Sequence, residues 1–168
     1  MSSRFPYFRD SWKHELNGTW GEPDYRSHKL NKILEIMNKK LINTLIKDRY
    51  FDIYTRNGFE YLMEEACDNA KLYLLDFDDV RGMNKELGYT KVNDIFKKAF
   101  TELKSDYVIG RAFSGDEIFF HTFKLTDEID TIRNVCDKYN LTFDYIEQFH
   151  RNGYDIKTTL EKMIEKFH

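Results

Sequence analysis

The stretch that decides the fold is Lys71-Leu72-Tyr73-Leu74-Leu75-Asp76-Phe77, an apolar run that closes on the acidic residues Asp76, Asp78 and Asp79. The run is too short for a helix, and its continuous apolar character is typical of a buried strand. We therefore predict a central β-strand that ends in a group of carboxylates.

A helix and a hairpin are predicted downstream of this strand. With Thr90 as N-cap, apolar residues recur by steps of three and one on a face that belongs on a sheet: Val92, Ile95, Phe96, Ala99, Phe100 and Leu103. Two β-type runs, 107–113 and 118–123, then flank Ser114-Gly115-Asp116-Glu117, whose length and composition favour a tight hairpin.

The remaining segments complete an α+β layout. Helices are predicted over 58–69, 127–139 and 155–167, and a strand over 141–149. This order of elements is related to the ferredoxin-like βαββαβ palm, with helices packed on a mainly antiparallel sheet. Residues 48–168 form the predicted domain.

Upstream of this domain the sequence predicts an irregular arm and a helix. Residues 1–26 combine aromatic side chains with both prolines and show no lasting period, so their aromatics either pack on the domain, bind a partner or cap a dimer. Residues 27–47, with Ser27 as N-cap, carry an apolar helical stripe that must be covered. The stripe packs either on its own domain or against a second copy of the chain.

Composition narrows the class of protein. The 168 residues suit one domain, and a net charge of -3 gives no electrostatic case for nucleic-acid binding. No run of about 18 apolar residues and no secretory signal is present, so we expect a soluble, cytoplasmic protein without membrane contact.

Cys67 and Cys136 lack disulfide or zinc spacing and are expected to be buried, reduced thiols. Solvent exposure or ordinary packing is expected for the histidines: His14, His28, His121, His150 and His168.

Two acidic groups suggest chemistry: Asp76 with Asp78 at the end of the strand, and Asp116 with Glu117 in the hairpin. A βαββ layout can place the strand beside the hairpin, so that three or four carboxylates share one edge. Like charges about 4 Å apart repel by on the order of 4 kcal/mol at an effective dielectric near 20, so the group needs protons, a basic partner or a cation. Mg²⁺ fits best, with Mn²⁺ as its substitute, because it leaves positions for water and phosphate oxygens. The alternative is that these residues only end a strand and form a turn.

Three motifs resemble those of GGDEF domains, the diguanylate cyclases. Residues 113–118, FSGDEI, resemble the signature hairpin, and residues 74–84, LLDFDDVRGMN, resemble the LDxDxFKxxN segment. Residues 48–59 resemble the DxLTGLxNRRxF motif at four positions: Asp48, Ile53, Arg56 and Phe59. The resemblance covers about residues 48–124. The minimal CRISPR polymerase group, small stand-alone relatives of the same palm, is a related resemblance.

Carried over residue by residue, the resemblance implies a magnesium site and a triphosphate site. Asp76 and Asp116 would bind Mg²⁺ with the backbone carbonyl of Phe77, and Glu117 would be a further ligand or base. Backbone N–H groups of the turn from Asp78 to Arg81 would meet the triphosphate. The implied nucleotide-binding residues are Phe77, Asp78, Asp79, Val80, Arg81, Asn84, Asn93 and Lys166, with Arg81 on phosphate and Asn84 on the base.

Departures from the family pattern bear on the substrate. Asn93 stands where the family usually has an aspartate that reads guanine, or Asp94 takes that part after a one-residue shift. An amide both donates and accepts, so the preference for guanine weakens and adenine becomes admissible. Ala112 replaces the arginine two residues before the signature, with Arg111 adjacent. Lys162 or Lys166 stands for the family's phosphate-contacting lysine, and Lys166 is the one included among the nucleotide-binding residues. The RxxD motif of product inhibition is absent.

Two functions are compatible with this resemblance. One is a homodimeric nucleotide cyclase that joins two nucleoside triphosphates, GTP and/or ATP, into a cyclic dinucleotide second messenger. The other is a catalytically weak or inactive regulatory module that keeps a nucleotide pocket. The presence of Asp76, Asp116 and Glu117 favours the cyclase, because a retired metal site would keep an uncompensated carboxylate cluster.

Overall fold

The computed structural model describes four segments of the chain: residues 25–66, 69–112, 115–151 and 155–168. Most of the predicted arm, Cys67 and Ser114 of the hairpin lie outside these segments. Within them, no helix is long and apolar enough to cross a membrane.

The chain divides into two compact units, Met1–Thr44 and Leu45–His168. The described residues of the first unit belong to helix α1 (Tyr25–Ile46), which begins two residues before Ser27, the predicted N-cap. Large apolar side chains of this helix are more than a third exposed to solvent: Leu30, Ile33, Ile36, Met37, Leu41 and Ile42.

The second unit contains a mixed sheet with helices on both faces. Its strands are β1 (Lys47–Asp48), β2 (Ile53–Tyr54), β3 (Asn69–Phe77), β4 (Val108–Arg111), β5 (Glu117–Thr122) and β6 (Phe143–Arg151). Its helices are α2 (Arg56–Ala66), α3 (Val80–Leu87), α4 (Tyr89–Leu103), α5 (Ile129–Lys138) and α6 (Ile156–Phe167).

The sheet has the strand order β1-β2-β4-β5-β3-β6. All neighbouring pairs are antiparallel except β2 with β4. The four strands from β3 to β6, with α3 and α4 before the hairpin and α5 after it, form the predicted βαββαβ palm. The α+β fold class, with an N-terminal helix before the palm, is therefore confirmed.

β3 contributes buried side chains to both faces of the sheet. Its side chains alternate between the faces, and every residue from Ala70 to Leu75 is buried, as the apolar run predicts. Tyr73, Leu75 and Phe77 pack with α4 and α5, in a core rich in aromatic rings such as Phe96. Leu72 and Leu74 pack on the opposite face with α2 and α6.

The N-cap predicted for the helix downstream of β3 is wrong. Thr90 was expected as its N-cap, but α4 begins at Tyr89 after Gly88, and a separate helix, α3, precedes it. Gly88 has φ of 84°, a conformation that glycine adopts without strain, and its N–H donates to the carbonyl of Asn84 at the end of α3. The two helices therefore meet at a glycine rather than at a side-chain cap.

Cys136, the thiol that the structure describes, is buried on α5 in the first core. Burial raises its pKa to about 12, so at neutral pH it remains a protonated thiol. The prediction of a buried, reduced thiol is consistent with this position.

Gly110 on β4 faces Phe59 of α2, and a Cβ at Gly110 would lie 2.6 Å from the Phe59 Cβ. Phe59 is itself stacked on Phe119, with ring centroids 5.5 Å apart, so it cannot retreat. We expect Gly110→Ala to lower the free energy of unfolding by about 1–3 kcal/mol through overpacking, as measured by urea denaturation. Gly115→Ala is the control, because its Cβ would have only an ordinary contact at 3.7 Å; equal stabilities of the two variants would contradict the prediction.

His121 on β5 is 1% exposed, and burial lowers its pKa from 6.5 to about 4, with His150 adding a smaller effect. The unfolded chain therefore binds more protons than the folded one between these values, and stability falls as the pH drops from about 6.5 to 4. The loss attributable to His121 is about 3 kcal/mol. In His121→Gln, thermal and urea denaturation across this range should show a flatter pH dependence. An exposed control, His28→Gln, should keep the wild-type slope, and a slope unchanged in His121→Gln would refute the assignment.

Candidate functional site

The two acidic groups lie side by side in the sheet. β3 and β5 are antiparallel neighbours in a register that sets Asp76 opposite Glu117. Residues opposite each other on antiparallel strands project from the same face, with Cβ atoms about 4.5–5.5 Å apart. The hairpin is held to the end of β3, since the Phe77 N–H donates to the Asp116 carbonyl at 3.0 Å. Asp76, Asp116 and Glu117 therefore belong to one edge of the sheet.

The electrostatics of this edge are unfavourable without a cation. Burial raises the pKa of Asp76, and neighbouring negative charges raise it further, in the order Asp116, Glu117, Asp78 and Asp144. Asp144 lies on β6 and stands directly opposite Asp76 in the pairing of β3 with β6. The sequence motifs do not include Asp144, and only the β3–β6 pairing brings it to the site.

Glu117 is the most buried of these acids, with 3% of its surface exposed. Its Oε1 atom lies 2.9 Å from Nε2 of His168. Its Oε2 atom is buried and, among the described residues, has no hydrogen-bond partner. Sequence reasoning missed His168, because 51 residues separate it from Glu117 and no motif links them.

The donor set suits a hard divalent cation. Within the four described segments, no three His, Cys, Asp or Glu side chains already surround a metal position. Mg²⁺ does not require such a cage, because it is usually held by one or two carboxylates, with water and substrate phosphates as the other ligands. Asp76 and Glu117 are two such carboxylates, and the buried, unpartnered Oε2 of Glu117 is an oxygen that a cation would satisfy. The residues present therefore fit magnesium.

The turn between β3 and α3 is shaped by Asp79. This residue is in the left-handed region, with φ of 51°, and its side chain accepts from the Gly82 N–H at 3.2 Å as the cap of α3. The Asp78 N–H donates to the Thr142 carbonyl at 3.0 Å. The N–H groups left for an anion at this helix start are therefore those of Asp79, Val80 and Arg81, which donate to no acceptor in the described part of the chain.

The other predicted nucleotide-binding residues lie on three helices. Asn84 is on α3, and its Oδ1 is buried without a hydrogen-bond partner among the described residues. Asn93 is half-buried on α4. Lys166 on α6 donates to Gln148 of β6 at 3.1 Å, and Gln148 pairs with Leu72, four residues before Asp76 on β3. The Lys166 ammonium group therefore lies beside the edge strand β6, at the level of Leu72 rather than of Asp76.

Arg111 anchors the hairpin to the start of the domain. Its guanidinium group forms an ion pair with Asp48 of β1 and lies over the ring of Phe51, 4.1 Å from the ring centroid. It also donates to the Gly115 carbonyl at 3.3 Å. Ala112, which stands in the position of the family's arginine, is buried in the core against α2 and α6. Arg111 is therefore a structural tether here.

A shallow groove of about 420 Å³ lies along α4 and α5, away from the predicted ligand and phosphate residues. Its lining combines charged and polar side chains: Asp94, Lys97, Lys98, Thr101, Glu102 and Tyr139. Glu102 already accepts from Tyr139 and pairs with Lys138 at 3.0 Å.

Comparisons with known proteins identify the fold. No protein-family model matches the chain, and no curated protein matches it by sequence. Among solved structures, the coiled coil and GGDEF domain of DgcB from Caulobacter crescentus, in complex with c-di-GMP, is similar with a TM-score of 0.59 and 10% identity over 83% of this chain and 87% of that one. The FimX GGDEF domain from Pseudomonas aeruginosa is similar with a TM-score of 0.58 and 10% identity, over 72% of this chain and 90% of that one.

A third similar structure is larger. The S helix-GGDEF-EAL protein LapD from Vibrio cholerae, in its apo form, has a TM-score of 0.64 and 16% identity over 80% of this chain and 36% of that one. These similarities show that the chain has the fold of GGDEF domains with a divergent sequence, as the three motifs predict.

We expect Asp76→Asn to raise the free energy of unfolding at pH 7 by on the order of 1 kcal/mol when a chelator removes divalent cations. The folded-state pKa of Asp76 lies above its unfolded value. Protonation of Asp76 therefore stabilises the folded protein at low pH, and this stabilisation is lost as the pH rises through the folded-state pKa. At pH 7 the charged carboxylate repels its neighbours, and asparagine removes that repulsion. Urea denaturation measures the effect, with the exposed Asp94→Asn as control; a destabilised Asp76→Asn would contradict it.

Proposed function

We propose that this chain, which has the fold of GGDEF domains, is a metal-dependent nucleotidyltransferase that condenses two nucleoside triphosphates into a cyclic dinucleotide. One observation carries the proposal: Asp76 and Glu117 lie opposite each other, and Glu117 keeps a buried oxygen without a partner among the described residues. A purely structural carboxylate pair has no reason to be left in this state, because a buried acceptor without a partner is costly.

The residues of this edge have distinct roles in the proposal. Asp76 and Glu117, with Asp116 and the Phe77 carbonyl, would hold Mg²⁺ or Mn²⁺. The bound cation supplies charge neutralisation for the triphosphate and lowers the pKa of the attacking hydroxyl. Asp116 is half-buried at the hairpin, and we assign the proton of the attacking hydroxyl to it.

The start of α3 is proposed to bind the triphosphate. The amide groups of Asp79, Val80 and Arg81 point along the helix axis at its N-terminus, where an anion is favoured, and the Arg81 side chain is exposed beside them. Asp79 keeps this turn in shape through its contact with Gly82. The neighbouring carboxylates need the cation between them and the phosphates, which explains why binding would depend on metal.

Base recognition is assigned to Asn84 and Asn93. The Oδ1 of Asn84, which has no hydrogen-bond partner within the described segments, can accept from an exocyclic amine, which both guanine and adenine carry. Asn93 is neutral, and an amide selects less strongly for the N–H edge of guanine than an aspartate does. We therefore propose that the enzyme uses GTP, ATP or both.

A homodimer is part of the proposal. Condensing two triphosphates into a ring needs two phosphodiester bonds, and one site of this kind holds one triphosphate. Two subunits facing each other would each present a 3′-hydroxyl to the other's α-phosphate. Each attack would form one phosphodiester bond, break the bond between the α- and β-phosphates and release pyrophosphate, while the hydroxyl proton passes to Asp116. The exposed apolar side chains of α1, among them Ile36 and Met37, are the proposed dimer contact.

We place this enzyme in the cytoplasm, with no membrane or nucleic-acid partner. Its relation to the minimal CRISPR polymerase group stays a prediction.

A regulatory nucleotide-binding module is the second candidate function. Two observations favour it: the Arg111 guanidinium is paired with Asp48, and the Lys166 ammonium is hydrogen-bonded to Gln148, so both cations are already engaged by groups other than a triphosphate. A module of this kind would bind a triphosphate or a cyclic dinucleotide without turning it over. The c-di-GMP complex of the DgcB domain provides an example of a GGDEF domain with a bound cyclic dinucleotide.

The test is to incubate the purified chain with Mg²⁺ or Mn²⁺ and each pair of nucleoside triphosphates, and to identify products by mass spectrometry. We expect a cyclic dinucleotide from the wild type and at least a 10³-fold lower rate from Asp116→Asn, because the mutation removes charge where it stabilises the transition state. Arg133→Gln, on α5, is the control and should retain the wild-type rate, because Arg133 pairs with Asp130 and stacks on Phe143.

The two candidate functions give different outcomes. Metal-dependent binding of a triphosphate without product from any pair would support the regulatory module. Turnover by Asp116→Asn at the wild-type rate would remove Asp116 from the catalytic assignment.

A further inference from the structure

We infer that His168 is a positioning residue of the carboxylate site: its Nε2–H holds one oxygen of Glu117 so that the other oxygen faces the cation. The inference rests on the proposed function, since it assigns a role toward the divalent cation proposed there. It concerns a residue that lies outside the three sequence motifs.

The contact itself has a defined direction. Nε2 of His168 lies 2.9 Å from Oε1 of Glu117, which is a normal hydrogen-bond distance. An ionised carboxylate only accepts, so the inference assigns the proton to Nε2, with the histidine as donor. A neutral imidazole is sufficient for this bond, and the inference therefore does not depend on the charge of His168.

The two oxygens of Glu117 are in different situations. Oε1 is satisfied by His168, whereas Oε2 is buried and has no partner within the described residues. Because Glu117 stands opposite Asp76, a cation bound between the two strands would reach Oε2 while His168 retains Oε1. One hydrogen bond thus fixes the rotation of the carboxylate about its terminal bond.

α6 places His168 at this point. The helix is capped at its N-terminus by Asp155, whose side chain accepts from the Thr158 N–H, and its Leu160 and Met163 are buried in the core against β3 and β5. Phe167, the last residue of the helix, packs against the same core. His168 follows directly, with its side chain 66% exposed, so its imidazole contributes little packing. Its hydrogen bond to Glu117 is the polar contact that its ring makes with the described part of the chain.

Hydrogen bonds of this kind matter to metal affinity. Groups that orient a ligating carboxylate or histidine typically change metal affinity by 10–100-fold when they are removed. For an exposed side chain with one hydrogen bond to the ligand, we expect the lower end of this range.

The test is a titration of Mn²⁺ alone into the full chain, followed by electron paramagnetic resonance of the free ion. We expect His168→Ala to weaken Mn²⁺ binding about tenfold. His168→Gln should stay within about twofold of the wild type, because the glutamine amide nitrogen can take the place of Nε2. Glu165→Gln, an exposed change on the same turn of α6, is the control and should bind as the wild type does.

Each outcome bears on a different claim. If His168→Ala binds Mn²⁺ as well as or better than the wild type, while Asp76→Asn has lost binding, the cation site stands and the role of His168 is refuted. If His168→Gln binds Mn²⁺ as weakly as His168→Ala does, the role of His168 is also refuted, because hydrogen-bond donation to Glu117 is then not the cause of the lost affinity. A wild type without a bound Mn²⁺ overturns both this inference and the metal-dependent function. Thermal denaturation of the His168 and Glu165 variants, expected to match the wild type, and of Asp76→Asn, expected to be no less stable than the wild type, separates a local effect from unfolding.

Discussion

The structure depends on a single strand that carries apolar side chains to both faces of the sheet and then ends in acids. β3 lies between β5 and β6, and its register with β5 is fixed by the burial of Leu72, Leu74 and their partners on the same face. A slip of one residue would turn these side chains toward the wrong layer. The energy of the core therefore determines that Asp76 stands opposite Glu117, and the stability of the fold holds two like charges together.

This arrangement is a conflict between folding and electrostatics that a ligand can resolve. The pKa of Asp76 is raised by burial and by four surrounding carboxylates, and Glu117 is almost wholly buried. Proteins retain such conflicts at functional sites, where a cation or substrate removes the repulsion. The start of α3, which is shaped by Asp79, lies a few residues further along the chain, and we propose that its N–H groups bind phosphate there.

Local sequence patterns predicted most of the fold because their causes are local. The apolar run of β3, the steps of three and one in α4, and Asp155 before α6 each depend on neighbours in the chain. The break between α3 and α4 was missed, because Gly88 acts through its backbone conformation and leaves no periodic signal. Asp76 and Glu117 could be predicted as a pair only because two motifs and the palm layout pointed to them together.

The parts of the site that sequence reasoning could not find depend on tertiary contacts. Asp144 reaches Asp76 through strand pairing, and His168 reaches Glu117 because α6 lies across the face of the sheet. The pairing of Arg111 with Asp48 likewise removes a cation that the sequence left available.

The most direct test of the central claim is anomalous diffraction from crystals of the chain grown with Mn²⁺ and a non-hydrolysable nucleoside triphosphate analogue. The account predicts a manganese peak between the carboxylates of Asp76 and Glu117, with phosphate oxygens completing its coordination. A triphosphate bound elsewhere, or a pair of carboxylates with no metal between them, would contradict it.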